Sequence, residues 1–188
     1  HRLRRGNVNR KLVQDFTEDP NRLIAALDTL QAGNSTALYD AIFLAVDDKL
    51  KGETGRKVIV VITDGDDTSS RLRKEEAIEI AQKNDVLIYG IGVRGEYGAN
   101  FGVLKRFAEE TGGSFFSPRA RFSEIQAAFK AIGEDLAGQY SLAYSSTNKK
   151  KDGTFRSIEI RCKASGVRVR SRKGYYAPKA HDSIQSRP

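Results

Sequence analysis

Lys57-Val-Ile-Val-Val-Ile-Thr-Asp-Gly-Asp-Asp-Thr-Ser-Ser70 is the stretch that decides the architecture. Its run of β-branched residues, 58–62, has no polar position and reads as a strand buried on both faces. It stops abruptly at Thr63, Asp64 and Gly65. A buried parallel strand that delivers a carboxylate at its carboxyl end, followed by a glycine turn, is how open α/β sheets present a ligand site.

Working outward, residues 86–93 form a second wholly apolar run, and 114–117 a short third strand. Helical periodicity is expected between them: from Pro20 with Asp19 as N-cap, over 36–50, over 71–84, over 101–110 and over 122–136. Leu23, Ile24, Leu27 and Leu30 form an apolar stripe on the first of these. Residues 9–16 read as a further short strand, and 94–100 as a glycine-containing loop. Strands alternating with helices imply parallel β-α-β units and a doubly wound, Rossmann-like α/β fold with a mainly parallel sheet.

The pattern changes after residue 138. Tyr140, Leu142 and Tyr144 alternate with small residues; 155–163 and 167–173 alternate again, and Asp152-Gly153 and Ser165-Gly166 supply turns. This predicts a three-stranded antiparallel β appendage. The expected organisation is an α/β domain over 1–138, a β extension over 139–178 and a tail over 179–188.

The 188 residues carry a formal charge of +8, unevenly distributed. Residues 149–179 hold 11 basic and 2 acidic side chains, while the centre of the chain is mildly acidic. That distribution argues against a uniform nucleic-acid binder but allows a basic face for phosphate, anionic lipid or an acidic partner. The single cysteine, Cys162, excludes an internal disulfide and reads as a small, at least half-buried strand residue. No apolar run reaches the roughly 20 residues of a membrane-spanning helix, and the opening His1-Arg-Leu-Arg-Arg5 is not expected to act as a signal peptide. His1 and His181 are expected to be exposed.

Two segments should converge at the carboxyl edge of the sheet. One is Gly33-Asn-Ser-Thr-Ala-Leu-Tyr-Asp-Ala-Ile42, leading into a helix; the other is Thr63-Asp64-Gly65. The Thr36 hydroxyl and Asp64 carboxylate are hard oxygen donors suited to Mg²⁺ or Mn²⁺. Ser35, Asp40 and Asp66 stand close enough in sequence to support such a site from behind. Asp40 can equally assist a helix N-terminus, and Asp66 and Asp67 can equally be solvated turn residues.

The segments Gly-x-x-Thr-Ala-Leu-Tyr-Asp-Ala, Val-Ile-Val-Val-Ile-Thr-Asp-Gly, Ile-Tyr-Gly-Ile-Gly-Val and Leu-Lys-Arg-Phe-Ala-Glu-Glu-Thr-Gly-Gly resemble, in order and spacing, a von Willebrand factor type A (VWA) domain. The similarity is greatest to a bacterial group whose β tail ends in Arg-x-Gly-Tyr-Tyr, here residues 172–176. The resemblance implies a metal-ion-dependent adhesion site (MIDAS) built from an Asp-x-Ser-x-Ser, a Thr and an Asp. Thr36 and Asp64 match the last two. The Asp-x-Ser-x-Ser and the first strands have no counterpart here, so metal binding by this chain alone is expected to be weak or absent. Asp66-x-Thr68-x-Ser70 has similar spacing on a different loop. The resemblance further implies a non-enzymatic module that binds a partner's carboxylate through the ion, in an exported or cell-envelope protein.

Two other readings compete. Asp64-Gly-Asp66-Asp-Thr68 matches the Asp-x-Asp-x-Thr of haloacid-dehalogenase-like phosphatases, with Asp64 as nucleophile and Asp66 as general acid/base. That reading leaves the Thr-Ala-Leu-Tyr-Asp-Ala and Glu-Glu-Thr-Gly-Gly segments without a purpose. The basic tail could instead meet nucleic acid or an anionic surface, although its few aromatics make a poor stacking platform.

Overall fold

The computed structural model describes residues 12–31, 35–93, 99–119, 121–167 and 169–179. The central sheet has three parallel strands in the order β1 (Lys57–Thr63), β2 (Val86–Gly92), β3 (Phe115–Phe116). β1 and β2 pair in register from Lys57 opposite Val86 to Thr63 opposite Gly92, and Gly90 and Ile91 of β2 pair with Phe115 and Phe116. Helices α1 (Pro20–Leu27), α2 (Leu38–Leu44), α3 (Lys74–Lys83), α4 (Phe101–Thr111) and α5 (Phe122–Ala137) complete the α/β part. α2 continues as a π-helical turn, Ala45–Leu50.

Helices pack on both faces of the sheet; β2 is buried almost throughout, whereas in β1 only Val61 is buried and Ile62 is exposed, so the expectation of a strand buried on both faces over 58–62 holds only in part. On one face Ile88 of β2 and Val61 of β1 meet Leu38, Ile42, Ala77, Ala81, Leu104 and Phe107 from α2, α3 and α4. On the other, Tyr89 and Ile91 meet Ala128 and Ile132 of α5, with Val58 and Val60 packed alongside. Each fully buried aliphatic or aromatic side chain of this kind contributes about 1.5–3 kcal/mol. Thr111 stitches the layers: its buried hydroxyl donates to the Phe107 carbonyl at 2.8 Å and accepts from the Ile88 N–H at 2.9 Å. α4 then ends on Gly112, whose φ of +90° suits a left-handed cap. Gly113 follows because a Cβ there would lie 2.0 Å from the Ile88 carbonyl oxygen.

Asp19 caps α1 as expected, accepting from the Asn21 N–H at 2.9 Å, with Pro20 in the first turn. The stripe on α1 does not face inward, however: Leu23, Ile24, Leu27 and Leu30 are all exposed. A helical period reports one apolar face, not what covers it. The described part of the expected first strand, residues 12–16, is not a strand. Residues 9–11, most of the 94–100 loop, both histidines and the terminal tail beyond Lys179 lie outside the described residues.

The extension also departs from expectation. Two short antiparallel strands form, β4 (Phe155–Ser157) and β5 (Gly174–Tyr176), rather than three long ones. Residues 139–146, 158–163 and the described part of 167–173 are extended or irregular, and Cys162 is exposed. Alternation reports strand-like backbone, but a ladder needs a neighbour at the right register. The extension nevertheless packs on the α/β part. Lys83 of α3 stands 5.0 Å over the Tyr176 ring, the Lys173 N–H reaches the Glu110 carbonyl at 3.3 Å, and Arg172 pairs with Asp85.

Candidate metal centre

The carboxyl end of β1 is continued by one more ladder bond, from the Val93 N–H to the Thr63 carbonyl at 3.0 Å. The chain then turns sharply. Gly65 has φ +90°, and a Cβ there would lie 2.2 Å from the Asn100 carbonyl oxygen, so no other residue fits without displacing that backbone. The Asn100 N–H bonds the Asp64 carbonyl at 2.8 Å, clamping the turn to the start of α4. Asp64 is half-buried; its Oδ1 accepts from the Asp66 N–H at 3.1 Å and from the Thr63 hydroxyl at 3.3 Å. Its Oδ2 makes no hydrogen bond among the described residues.

The segment before α2 is zipped onto the loop that follows. The Thr36 carbonyl accepts the N–H groups of Thr68 and Ser69 at 2.9 and 3.0 Å, and the Thr36 N–H donates to the Thr68 hydroxyl at 2.9 Å. The Thr36 and Asp64 loops, 28 residues apart, are therefore joined at one edge of the sheet. The Thr36 hydroxyl, like Asp64 Oδ2, has no hydrogen-bond partner among the described residues. Ser69 Oγ is buried and likewise unpartnered there. Ser35 is exposed and Asp66 half-buried.

Asp40 and Asp67 do other work. Asp40, only 3% exposed, accepts from the N–H groups of Arg71 and Leu72 at 3.1 and 3.0 Å, so it ties down the approach to α3. Asp67 is not simply solvated. Its Oδ2 accepts from the Tyr39 N–H at 3.1 Å and the Ser70 hydroxyl at 2.5 Å, and its Oδ1 from the Ser70 N–H at 2.9 Å. α2 has no side-chain cap of its own, and Asp67 supplies one from across the loop. Burial pushes the Asp67 carboxyl up, but hydrogen bonds from Ser70, Tyr39 and Leu38 outweigh it and hold the group below the ordinary aspartate value. Burial, followed by the negative charge of Asp67, Glu75 and Asp66, raises the neighbouring Tyr39 hydroxyl.

With two of the local carboxylates engaged by backbone N–H groups, the oxygens not so engaged at this edge include Asp64 Oδ2, the Thr36 hydroxyl, the Asp66 carboxylate and Ser69 Oγ. They suit a hard divalent cation in kind but are few in number. No cluster of three or more acidic, histidine or cysteine side chains placed to hold a metal occurs among the described residues. Sequence reading missed Asp67 and Ser70 as organisers of this edge. The signal available was the Asp-x-x-Ser spacing, a local capping pattern.

Comparison with known proteins places this geometry in context. The family model of the von Willebrand factor type A domain matches residues 8–131. An uncharacterized protein of Borreliella burgdorferi is 28% identical over 123 residues, covering 55% of this chain and 36% of the relative. The chain thus spans about a third of that relative's length. Among solved structures, an uncharacterized membrane-spanning protein from Vibrio fischeri is 24% identical, with a TM-score of 0.38 over 65% of this chain and 68% of that one. The conserved hypothetical protein BatB from Bacteroides thetaiotaomicron is 21% identical, with a TM-score of 0.47 over 63% and 71%. No helix among the described residues is long and apolar enough to cross a membrane.

Proposed function

The chain belongs to the von Willebrand factor type A family, and from that membership we propose that it is a protein-binding module whose ligand edge is the Thr36–Asp64 junction. The family points to a protein-interaction role. The observation that carries the finer reading is the division of labour among the carboxylates: Asp40 and Asp67 hold the loops, while one oxygen of Asp64 is uncommitted among the described residues and the Thr36 segment is bonded to the loop that follows Asp64.

Thr36 and Asp64 would hold a Mg²⁺ or Mn²⁺ ion through hard oxygens, with Ser35 and Asp66 nearby. A bound ion of this type offers open positions to a carboxylate of a partner protein. The chain's own part is positional. The Asp66 N–H and Thr63 hydroxyl fix one Asp64 oxygen, and the Thr68 and Ser69 N–H groups fix the Thr36 backbone. The reading is binding rather than phosphoryl transfer because the family match runs through the Thr-Ala-Leu-Tyr-Asp-Ala and Glu-Glu-Thr-Gly-Gly segments, which phosphatase chemistry leaves without a purpose. An exported or envelope location belongs to the same reading and rests on the family resemblance alone.

Electron paramagnetic resonance of free Mn²⁺ tests this reading. Wild-type protein should deplete the free-ion signal weakly, Asp64→Ala should abolish the depletion, and Thr36→Ala should reduce it. Depletion by Asp64→Ala equal to wild type would overturn the assignment.

A further inference from the structure

A cleft of about 510 Å³ opens where the β extension meets the C-terminal end of α3. Lys83 and Asp85 line it from the α/β side, and Arg172, Tyr175, Tyr176 and Lys179 line it from the extension. The two walls thus contribute three cations and one carboxylate between them. The volume falls within the roughly 300–1,000 Å³ of small-molecule sites, which favour junctions of this kind.

Contacts within the protein already hold both walls. Lys83 Nζ stands 5.0 Å over the Tyr176 ring and the Arg172 guanidinium 6.0 Å from the Tyr175 ring, so each of these cations rests by an aromatic face. Lys179 lies across Gly153, where a Cβ would be 2.6 Å from its Cε, and residues 152 and 179 form a backbone bridge. The Ala177 N–H donates to the Thr154 carbonyl at 2.9 Å. The carbonyl end of α3, which by itself would repel an anion, is covered. There the Asn84 N–H and side-chain amide both donate to the Ile80 carbonyl, at 3.2 and 2.8 Å.

Arg172 pairs with Asp85 and Lys83 with Glu79, and both pairs are exposed. Exposed pairs are weak, so a ligand with two negative charges can take over both cations at little cost. The guanidinium fork fits phosphate oxygens, and the ammonium groups add point charges. We infer that this cleft binds a small phosphate ester, with its phosphate between Lys83 and Arg172 and its apolar body against the tyrosines. A dianion serves both walls, whereas a carboxylate has a single charge to divide between them. The inference does not depend on the ion edge at Thr36 and Asp64.

Phenyl phosphate is the test probe, titrated into isotope-labelled protein and followed by amide shifts, with phenol as the neutral control. Shifts should centre on 82–85 and 172–179 and leave 35–36 and 64–70 unmoved, and phenol should cause none. Lys83→Gln and Arg172→Gln should each weaken binding about tenfold. Asp85 has a left-handed backbone, φ +54°, which asparagine also accepts. Asp85→Asn removes the competing carboxylate and should tighten binding about threefold, a direction that loss of a merely structural contact would not give. Bound phenyl phosphate should also slow hydrogen exchange at 155–157 and 174–176, because it joins the extension to α3. No binding at millimolar phenyl phosphate, equal binding of phenol, or weaker binding by Asp85→Asn overturns the inference. Shifts seen only with phosphatidic acid vesicles overturn it in favour of a membrane surface.

Discussion

Four aspartates crowd the edge beyond β1, and their hydrogen bonds separate them. Asp40 is buried with two backbone donors aimed at it, from Arg71 and Leu72. Removing the carboxylate by Asp40→Ala strands both donors, which should cost about 1–3 kcal/mol in urea unfolding. Asp67 is held below the ordinary aspartate value of 3.8 in the folded state. A lowered folded value means a stabilising contribution that is complete above the unfolded value and is lost as the pH falls through the folded one. Urea midpoints measured from neutral pH downward should therefore decline below about pH 4, and Asp67→Asn should make that decline shallower. An unchanged decline would remove Asp67 as its source. Asp64 belongs to neither group, since its surroundings leave one oxygen uncommitted among the described residues.

At the scale of elements, β1 and β2 were legible because a strand with helices on both faces is apolar through its length, as 58–62 and 86–93 are, although the exposure of Ile62 at the end of β1 was not legible from that run. The cap at Asp19 and the glycine stop after α4 were legible because they are local chemistry. Asp67 was not, because its cap partner Tyr39 lies 28 residues away in sequence. The α1 stripe was readable as a pattern and misleading as a position, since periodicity carries no information about the covering layer. Its exposure makes a prediction: Leu27→Glu should change stability by no more than about 0.5 kcal/mol. Phe107→Ala, at a fully buried position of α4, should cost about 3–5 kcal/mol. Both follow from the same unfolding measurement, and a large effect of Leu27→Glu would mean that α1 is covered.

Across the whole molecule, the ligand edge and the β extension meet the α/β part at different places. Asp64 follows the carboxyl end of β1, while Tyr176, Lys173 and Arg172 contact the far ends of α3 and α4. Within the extension, Gly174 permits the close approach of β5 to β4: a Cβ there would lie 2.2 Å from the Arg156 carbonyl oxygen. Gly174→Ala should therefore loosen β4 and β5, raising hydrogen exchange at 155–157 and 174–176 while exchange at β1 and β2 stays slow. Equal acceleration in the central sheet would show that the extension and the core unfold as one unit.

Whether Thr36 and Asp64 form a divalent-ion edge is decided by paramagnetic broadening of amide signals with substoichiometric Mn²⁺. Broadening should centre on residues 35–36 and 64–70, be absent from 139–146 and 174–176, and be lost in Asp64→Asn while the rest of the spectrum is retained. Broadening that centres elsewhere, or that persists unchanged in Asp64→Asn, would contradict it.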